Sequence, residues 1–223
     1  MKKVRVLNIQ FDSELHTSEI SAFRGAIIEK VGKESTLFHN HTGDVSYRYG
    51  YPLIQYKSIG KHAAIMCVDY GVDEIHRFFE QPDWKLNLNG REMNMKISRM
   101  NLNEFTMQVW DKMFDYSILC WLALNEENMP RYKAAEYETD RIELLENVLK
   151  SNIISFAKGI EWTVDKPIEL KILKMNEPRI TKYKNIPKLA FDLSFRTNVF
   201  LPNFIGLGKG VSRGFGTVKR VDG

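Results

Sequence analysis

Residues 3–32, KVRVLNIQFDSELHTSEISAFRGAIIEKVG, join an alternating run to a helical one. Up to Phe11, apolar and polar side chains alternate, which is the period of a strand with one buried face. After Ser18 the apolar residues recur at steps of three and four, and Gly32 follows as a stop signal. These residues are Ile20, Phe23, Ile27 and Val31. The segment therefore predicts a strand followed by a helix over residues 18–31.

The next seventy residues extend this unit. Residues 52–59 and 63–69 read as two strands, and residues 72–80 read as a short helix that ends before Pro82. Residues 84–105 read as strand material that turns at Asn89-Gly90. The order β-α-β-β-α-β is the ferredoxin-like pattern.

The second half repeats the pattern less completely. A mostly apolar strand over residues 114–124 precedes a long amphipathic helix, for which Thr139 is a candidate N-cap. Its predicted apolar face consists of Ile142, Leu145, Leu149, Ile153 and Phe156. Residues 168–175 and 189–197 then read as strands. We place the domain boundary near Thr106. The predicted fold is α+β, with two tandem ferredoxin-like (RRM-like) domains over residues 1–106 and 107–223.

Charge is distributed unevenly along the 223 residues, whose formal net charge is +4. Residues 150–223 carry 14 Lys and Arg against 6 Asp and Glu, whereas residues 1–149 carry 18 against 22. Such a gradient suits a polyanion such as nucleic acid, and it also suits a solvated lysine-rich face. Since no apolar run approaches the roughly 20 residues of a membrane span, we expect no membrane contact and a cytoplasmic location.

Two histidines stand one residue apart in residues 37–57, LFHNHTGDVSYRYGYPLIQYK, in what reads as a loop after the first helix. Imidazole exchanges protons near neutral pH, so His39 and His41 are candidates for a catalytic acid and base. A half metal site completed by a carboxylate such as Asp44, or a solvated polar pair beside a turn, are the alternatives. The scattered remaining histidines and the presence of two cysteines argue against metal, and we expect no cofactor.

A glycine-rich stretch near the C-terminus, GLGKGVSRGFG, has five glycines and two cations over residues 206–216. Its backbone N–H groups can turn toward an anion, although a plain flexible loop has the same composition. The cations, and the upstream residues Arg179, Lys182, Tyr183, Lys184 and Lys188, favour contact with RNA. The candidate RNA-binding residues are Lys182, Lys184, Gly206, Gly208, Lys209, Gly210, Arg213, Gly214 and Gly216.

Taken together, these features resemble the CRISPR-associated endoribonucleases of the RAMP superfamily, in the branch that has a paired-histidine site. The segments that carry the resemblance are, in chain order, FRGAIIEK, LFHNHTGD, YRYGYPLIQYK, LALNEENMPRYK, SNIISFAKGI and the glycine-rich stretch. The resemblance covers essentially the whole chain. It implies cleavage of precursor CRISPR RNA within its repeats.

The resemblance also implies a mechanism and a set of residues. The RNA 2′-hydroxyl attacks the adjacent phosphate without a metal ion, leaving a 2′,3′-cyclic phosphate and a 5′-hydroxyl. The family's histidine pair, lysine and tyrosine fall on His39, His41, Lys30 and Tyr47. Lys33 competes with Lys30, and the other nearby tyrosines, Tyr49 and Tyr51, compete with Tyr47.

Two other functions stay open at this point. A RAMP-type subunit that holds guide RNA without cutting it would share the basic surface and the glycine-rich stretch. A metal-dependent hydrolase would use His39, His41 and a carboxylate. The expected partners are CRISPR repeat RNA and subunits of a CRISPR effector complex, and the chain is expected to be a monomer or a homodimer.

Overall fold

The structure is a computed structural model that describes residues 1–32, 35–39 and 50–221. Packing divides the described chain into two units. The first comprises Lys2–Thr106 together with Ser212–Gly214, and the second comprises Met1, Met107–Val211 and the residues from Phe215 onward. In the described part of the chain, no helix is both long enough and apolar enough to cross a membrane.

The first unit follows the predicted β-α-β-β-α-β order. Its elements are β1 (Lys2–Glu14), α1 (Ile20–Val31), α2 (Thr36–His39), β2 (Ile54–Ile59), β3 (His62–Val68), α3 (Tyr70–Glu74), α4 (His76–Phe79), β4 (Lys85–Leu88), β5 (Arg91–Asn94) and β6 (Ile97–Met107). Four strands form one sheet in the order β2-β3-β1-β6, and β4 pairs with β5 in a separate hairpin. The alternating pattern of residues 3–11 is confirmed as the strand β1.

The core of this unit lies between α1 and one face of the sheet. Phe23 of α1 meets Phe11 of β1 and Tyr56 of β2 edge-on, at ring-centroid distances of 6.3 and 5.8 Å. Gly32 ends α1 with φ at 97°, and its N–H donates to the carbonyl of Ile28. The helix begins two residues later than predicted, because a 3-10 turn over Thr17–Glu19 precedes it.

The second unit contains β7 (Val109–Trp121), α5 (Asn128–Ala134), α6 (Glu138–Gly159), β8 (Leu170–Met175), β9 (Arg179–Tyr183), β10 (Ile186–Val199) and β11 (Thr217–Arg220). Its sheet has the order β11-β7-β10-β8, and β9 pairs with β10 outside that path. In the β-α-β-β-α-β pattern of this unit, β7, β8, β10 and β11 are the first, second, third and fourth strands. Read from β8, the sheet therefore has the strand order second, third, first, fourth, which is also the order of the first sheet. Two ferredoxin-like units are therefore confirmed, with the glycine-rich stretch standing where the second helix of the pattern would be.

Helix α6 is the longest helix that the structure describes, and its buried face is the predicted one. Leu145, Leu149, Ile153 and Phe156 are each 0% exposed. The same face buries Glu146, whose carboxylate accepts hydrogen bonds from the N–H of Ile172 and the ammonium of Lys171 on β8. The predicted N-cap was wrong: Tyr137 occupies that position, and Thr139 lies inside the first turn.

Candidate functional site

The sequence-predicted site residues fall in two groups, the histidine segment of the first unit and the glycine-rich stretch with its neighbouring hairpin. In the first group, His39 is the last residue of α2 and is half-buried. The sequence suggests a loop at this position, whereas the structure has a four-residue helix that ends at His39, the first histidine of the pair.

Tertiary contacts hold this helix, because four residues are too few for a helix that is stable by itself. Phe38 is 1% exposed and belongs to the core of the first unit. The Arg24 guanidinium on α1 donates to the carbonyl of His39 at 2.6 Å. At the other end, the hydroxyl of Ser35 donates to the Glu74 carboxylate at 2.5 Å. The helix that ends at His39 is thus held to α1 through Arg24 and to α3 through Glu74.

Two of the four predicted catalytic residues, His41 and Tyr47, lie outside the described residues. The competing Lys33 and Tyr49 and the alternative metal ligand Asp44 also lie outside them. Among the residues that the structure describes, no group of three or more His, Cys, Asp or Glu side chains is arranged to hold a metal ion. The described half of the predicted catalytic set therefore consists of His39 and Lys30.

Lys30 lies in the last turn of α1 and forms an ion pair with Asp83 at 2.5 Å. The same carboxylate oxygen accepts the N–H of Lys85 at 2.9 Å. The hydrogen bond from Lys30, together with that from Lys85, holds the pKa of Asp83 below its usual range. The ammonium of Lys30 is consequently anchored at the end of α1, and a role at the phosphate stays a prediction.

Tyr51, one of the competing tyrosines, is buried, and its hydroxyl accepts a hydrogen bond from the Gln55 amide at 2.8 Å. The hydroxyl oxygen of Tyr51 is thus already bonded to a residue four positions along the chain.

Lys57 is a feature that the site prediction missed. It lies on β2 next to Tyr56, and since successive side chains of a strand point to opposite faces, it is on the face away from the core. It is nevertheless 1% exposed. Loss of hydration lowers its pKa to about 7. The sequence signal was a charged Lys within a strand whose preceding residues, Ile54 to Tyr56, are all apolar or uncharged.

The glycine-rich stretch is a closed loop in the structure. At its base, Leu207 donates to the carbonyl of Gly216, and Gly216 donates to the carbonyl of Cys120 on β7. A Cβ at Gly216 would lie 1.9 Å from the Leu207 oxygen, and one at Gly214 would lie 2.5 Å from the Ile20 side chain. Both residues have positive φ. The space beside them is filled by the protein itself, so the packing of the loop explains these two glycines.

The other glycines of this loop have defined neighbours. Gly206 pairs with Thr217 in an isolated bridge. Gly208 lies against Trp121 and Asn152, and Gly210 lies against Tyr183 and Phe215.

A tyrosine surrounded by cations connects the loop to the β9–β10 hairpin. The ammonium groups of Lys184 and Lys209 lie 5.9 and 5.7 Å from the ring centroid of Tyr183. Phe215 contacts the same ring edge-on at 5.6 Å. An aromatic ring beside two ammonium groups is suited to a base with its phosphate. We call these four residues the Tyr183 cluster.

The remaining cations of this region differ in their availability. Lys182 is exposed on β9, and Arg213 is half-buried in the 3-10 turn Val211–Arg213. Arg179, which the sequence suggested as a further RNA contact, forms an ion pair with Asp192 at 3.2 Å. Its charge is therefore balanced within the sheet.

Comparison with known proteins assigns both halves of the chain to one family. The family model for the Cas6b N-terminal domain matches residues 2–106, and the model for the Cas6b C-terminal domain matches residues 108–221.

Two similar solved structures are a Cas6b crystal structure and a CRISPR RNA processing endoribonuclease Cas6b. The first is 28% identical with a TM-score of 0.88, and the second is 26% identical with a TM-score of 0.74. Each alignment covers 99% of this chain and 100% of the other. A curated relative, an uncharacterized protein of Methanocaldococcus jannaschii, is 35% identical over 145 residues, which are 60% of this chain and 96% of the relative.

Proposed function

The chain belongs to the Cas6b family, and from that premise we propose that it cuts precursor CRISPR RNA within the repeats through attack of the RNA's own 2′-hydroxyl, without a metal ion. The activity class follows from the family and from its structural relatives: the protein is an endoribonuclease of CRISPR RNA processing.

The observation that carries the proposed mechanism is the anchored position of His39. A catalytic acid or base must be held within hydrogen-bond reach of the proton that it moves. Burial of Phe38 and the bond from Arg24 to the His39 carbonyl provide such support for the backbone that bears the imidazole. With His41 as its partner, one imidazole takes the proton of the 2′-hydroxyl, and the other, as imidazolium, protonates the leaving 5′-oxygen.

The charge that grows on the phosphate needs a cation, because the transition state concentrates negative charge on the phosphoryl oxygens. We assign this role to Lys30, and we assign orientation of the nucleophile or the phosphate to Tyr47. The ion pair with Asp83 fits such a role if the phosphate competes with that carboxylate for the ammonium.

We assign RNA binding to the Tyr183 cluster and the cations near it. Lys182, Lys184, Lys209 and Arg213 supply positive charge on the β9–β10 hairpin and the glycine loop. Phosphate contacts of this kind position an RNA without reading its sequence.

The test uses synthetic repeat RNA with the wild-type protein. We expect cleavage to persist in excess EDTA and to yield a 2′,3′-cyclic phosphate and a 5′-hydroxyl. An RNA with a single 2′-deoxy sugar 5′ of the scissile phosphate lacks the nucleophile, so it should bind and stay uncut. Cutting of that RNA, or activity lost in EDTA and restored by a divalent ion, would overturn the mechanism. Binding without any cleavage would favour a subunit that holds guide RNA.

A further inference from the structure

A cavity of about 400 Å³ opens in the second unit, beside the glycine loop. Residues 122–125, the segment directly after β7, form one wall. Two residues of α5, one face of α6 and Lys209 of the loop form the rest. This volume lies within the range of about 300–1,000 Å³ that is usual for ligand pockets in proteins. Neither His39 nor Lys30, the predicted catalytic residues that the structure describes, lines it.

One face of α6 gives the cavity three of its seven polar side chains. Residues 144, 147, 148, 151 and 152 line it, at the steps of three and four that place side chains on one helical face. Of these, the carbonyl oxygen of the Asn152 amide accepts the indole N–H of Trp121 at 2.9 Å, so this side chain is fixed. The exposed side-chain amide of Asn147 makes no hydrogen bond to another residue that the structure describes, so its donors and acceptor are open to a ligand or water. The Ser151 hydroxyl donates to the Asn147 backbone carbonyl at 2.9 Å, which leaves its oxygen as an acceptor.

The charges of the lining have one sign. Arg131 of α5 and Lys209 of the glycine loop both line the cavity, and none of the described residues that line it is acidic. Lys209 also lies over Tyr183, so the cavity adjoins the Tyr183 cluster. The opposite wall is apolar and buried over Leu122–Leu124.

We propose that this pocket holds one unpaired nucleotide of the repeat RNA, with its base against Asn147, Ser151 and the leucine wall and its phosphate between Arg131 and Lys209. The proposal rests on the proposed function for the identity of the RNA. Amide and hydroxyl groups read the edges of unstacked bases, while cations without a competing carboxylate hold the phosphate. The pocket thereby gives base selectivity to a surface whose other cations contact only the backbone.

The test combines an abasic scan of the repeat RNA with the variant Asn147→Leu, which keeps the size of the side chain and removes its hydrogen bonds. For the wild type, one abasic position in the unpaired part of the RNA should lower the affinity roughly 10-fold, as expected for loss of a base-edge contact. With Asn147→Leu, intact RNA should bind about as weakly as that abasic RNA, and the same abasic change should cost nothing further.

The control is Lys150→Ala, which removes a charge from the same helix outside the pocket. It should keep the full abasic penalty. Ser151→Ala is a second pocket variant, and circular dichroism confirms that each variant is folded. Abasic penalties that are equal in the wild type and in both pocket variants at every position would overturn the pocket alone. Binding without cleavage would overturn only the proposed catalysis, and a wild type that does not bind repeat RNA would overturn both.

Discussion

His39 shows how a single residue depends on contacts that are distant in the sequence. Its backbone is fixed by Arg24, fifteen residues earlier, and by the buried ring of Phe38. A fully buried phenylalanine contributes about 1.5–3 kcal/mol, which is enough to keep a single helical turn in place. The sequence shows that His39 and His41 are one residue apart. It does not show the contacts that hold the backbone of His39 in place.

Replacement of either histidine tests the catalytic assignment. We expect His39→Ala and His41→Ala each to slow single-turnover cleavage of repeat RNA by about 10²–10⁴-fold, the usual contribution of a positioned acid or base. Binding of the RNA should be largely kept. The control is His62→Gln, since His62 bonds the Asp12 carbonyl on the sheet and has no assigned role. If both alanine variants cut at the wild-type rate, the assignment is wrong.

Lys57 provides a test of burial through the pH dependence of stability. Its pKa is about 7 in the folded chain and 10.5 as the ordinary value. Between those pH values the unfolded chain binds the additional proton, so the free energy of unfolding rises with pH, at up to about 1.4 kcal/mol per pH unit. Lys57→Met should remove this rise, and its stability gain over the wild type should be greatest at or below pH 7.

Urea unfolding of both proteins between pH 6 and 10 measures this difference. Lys174→Met changes an exposed lysine of β8 and serves as the control; because it retains Lys57, its stability should rise with pH as that of the wild type does. Parallel pH curves for the wild type and Lys57→Met would show that Lys57 stays charged in the fold.

At the level of elements, the agreement between sequence and structure depends on length and period. The long helix α6 and the strand β1 were predicted because each shows many repeats of one period. The short elements α2, α5 and β9 were not. Helix α5 carries Pro130 in its first turn, where proline is tolerated, but seven mostly polar residues provide no clear helical period.

The glycine loop permits a matched comparison of two glycine substitutions. Gly216→Ala should lower the free energy of unfolding by about 2 kcal/mol or more, because its Cβ meets the Leu207 carbonyl and its φ is positive. Gly25→Ala on α1 should raise it by about 0.5–1 kcal/mol, since Gly25 is helical with open space around its Cβ position. Urea unfolding measures both. Equal effects would mean that the loop adapts to a side chain.

At the level of the whole molecule, the charge gradient predicts how binding responds to salt. The excess of cations in residues 150–223 should act through release of counterions from the RNA, so affinity should fall as salt rises from about 50 to 200 mM. Lys184→Gln should reduce the slope of log affinity against log salt by about 0.7. Lys3→Gln is the control, because Lys3 is paired with Glu104 in the first unit. An affinity independent of salt would contradict this.

The sequence by itself determined the order of the longer elements, the repeated β-α-β-β-α-β pattern, the paired histidines and the basic C-terminal third. Each of these is a property of neighbouring residues, since periodicity and composition are local. The tertiary structure alone decided that Lys57 is buried, that Gly216 lies against Leu207, that Arg179 is neutralised by Asp192 and that Lys209 joins the Tyr183 cluster to a pocket. A strand pattern tells which face a side chain is on, but the atoms that meet that face come from segments far away in the chain.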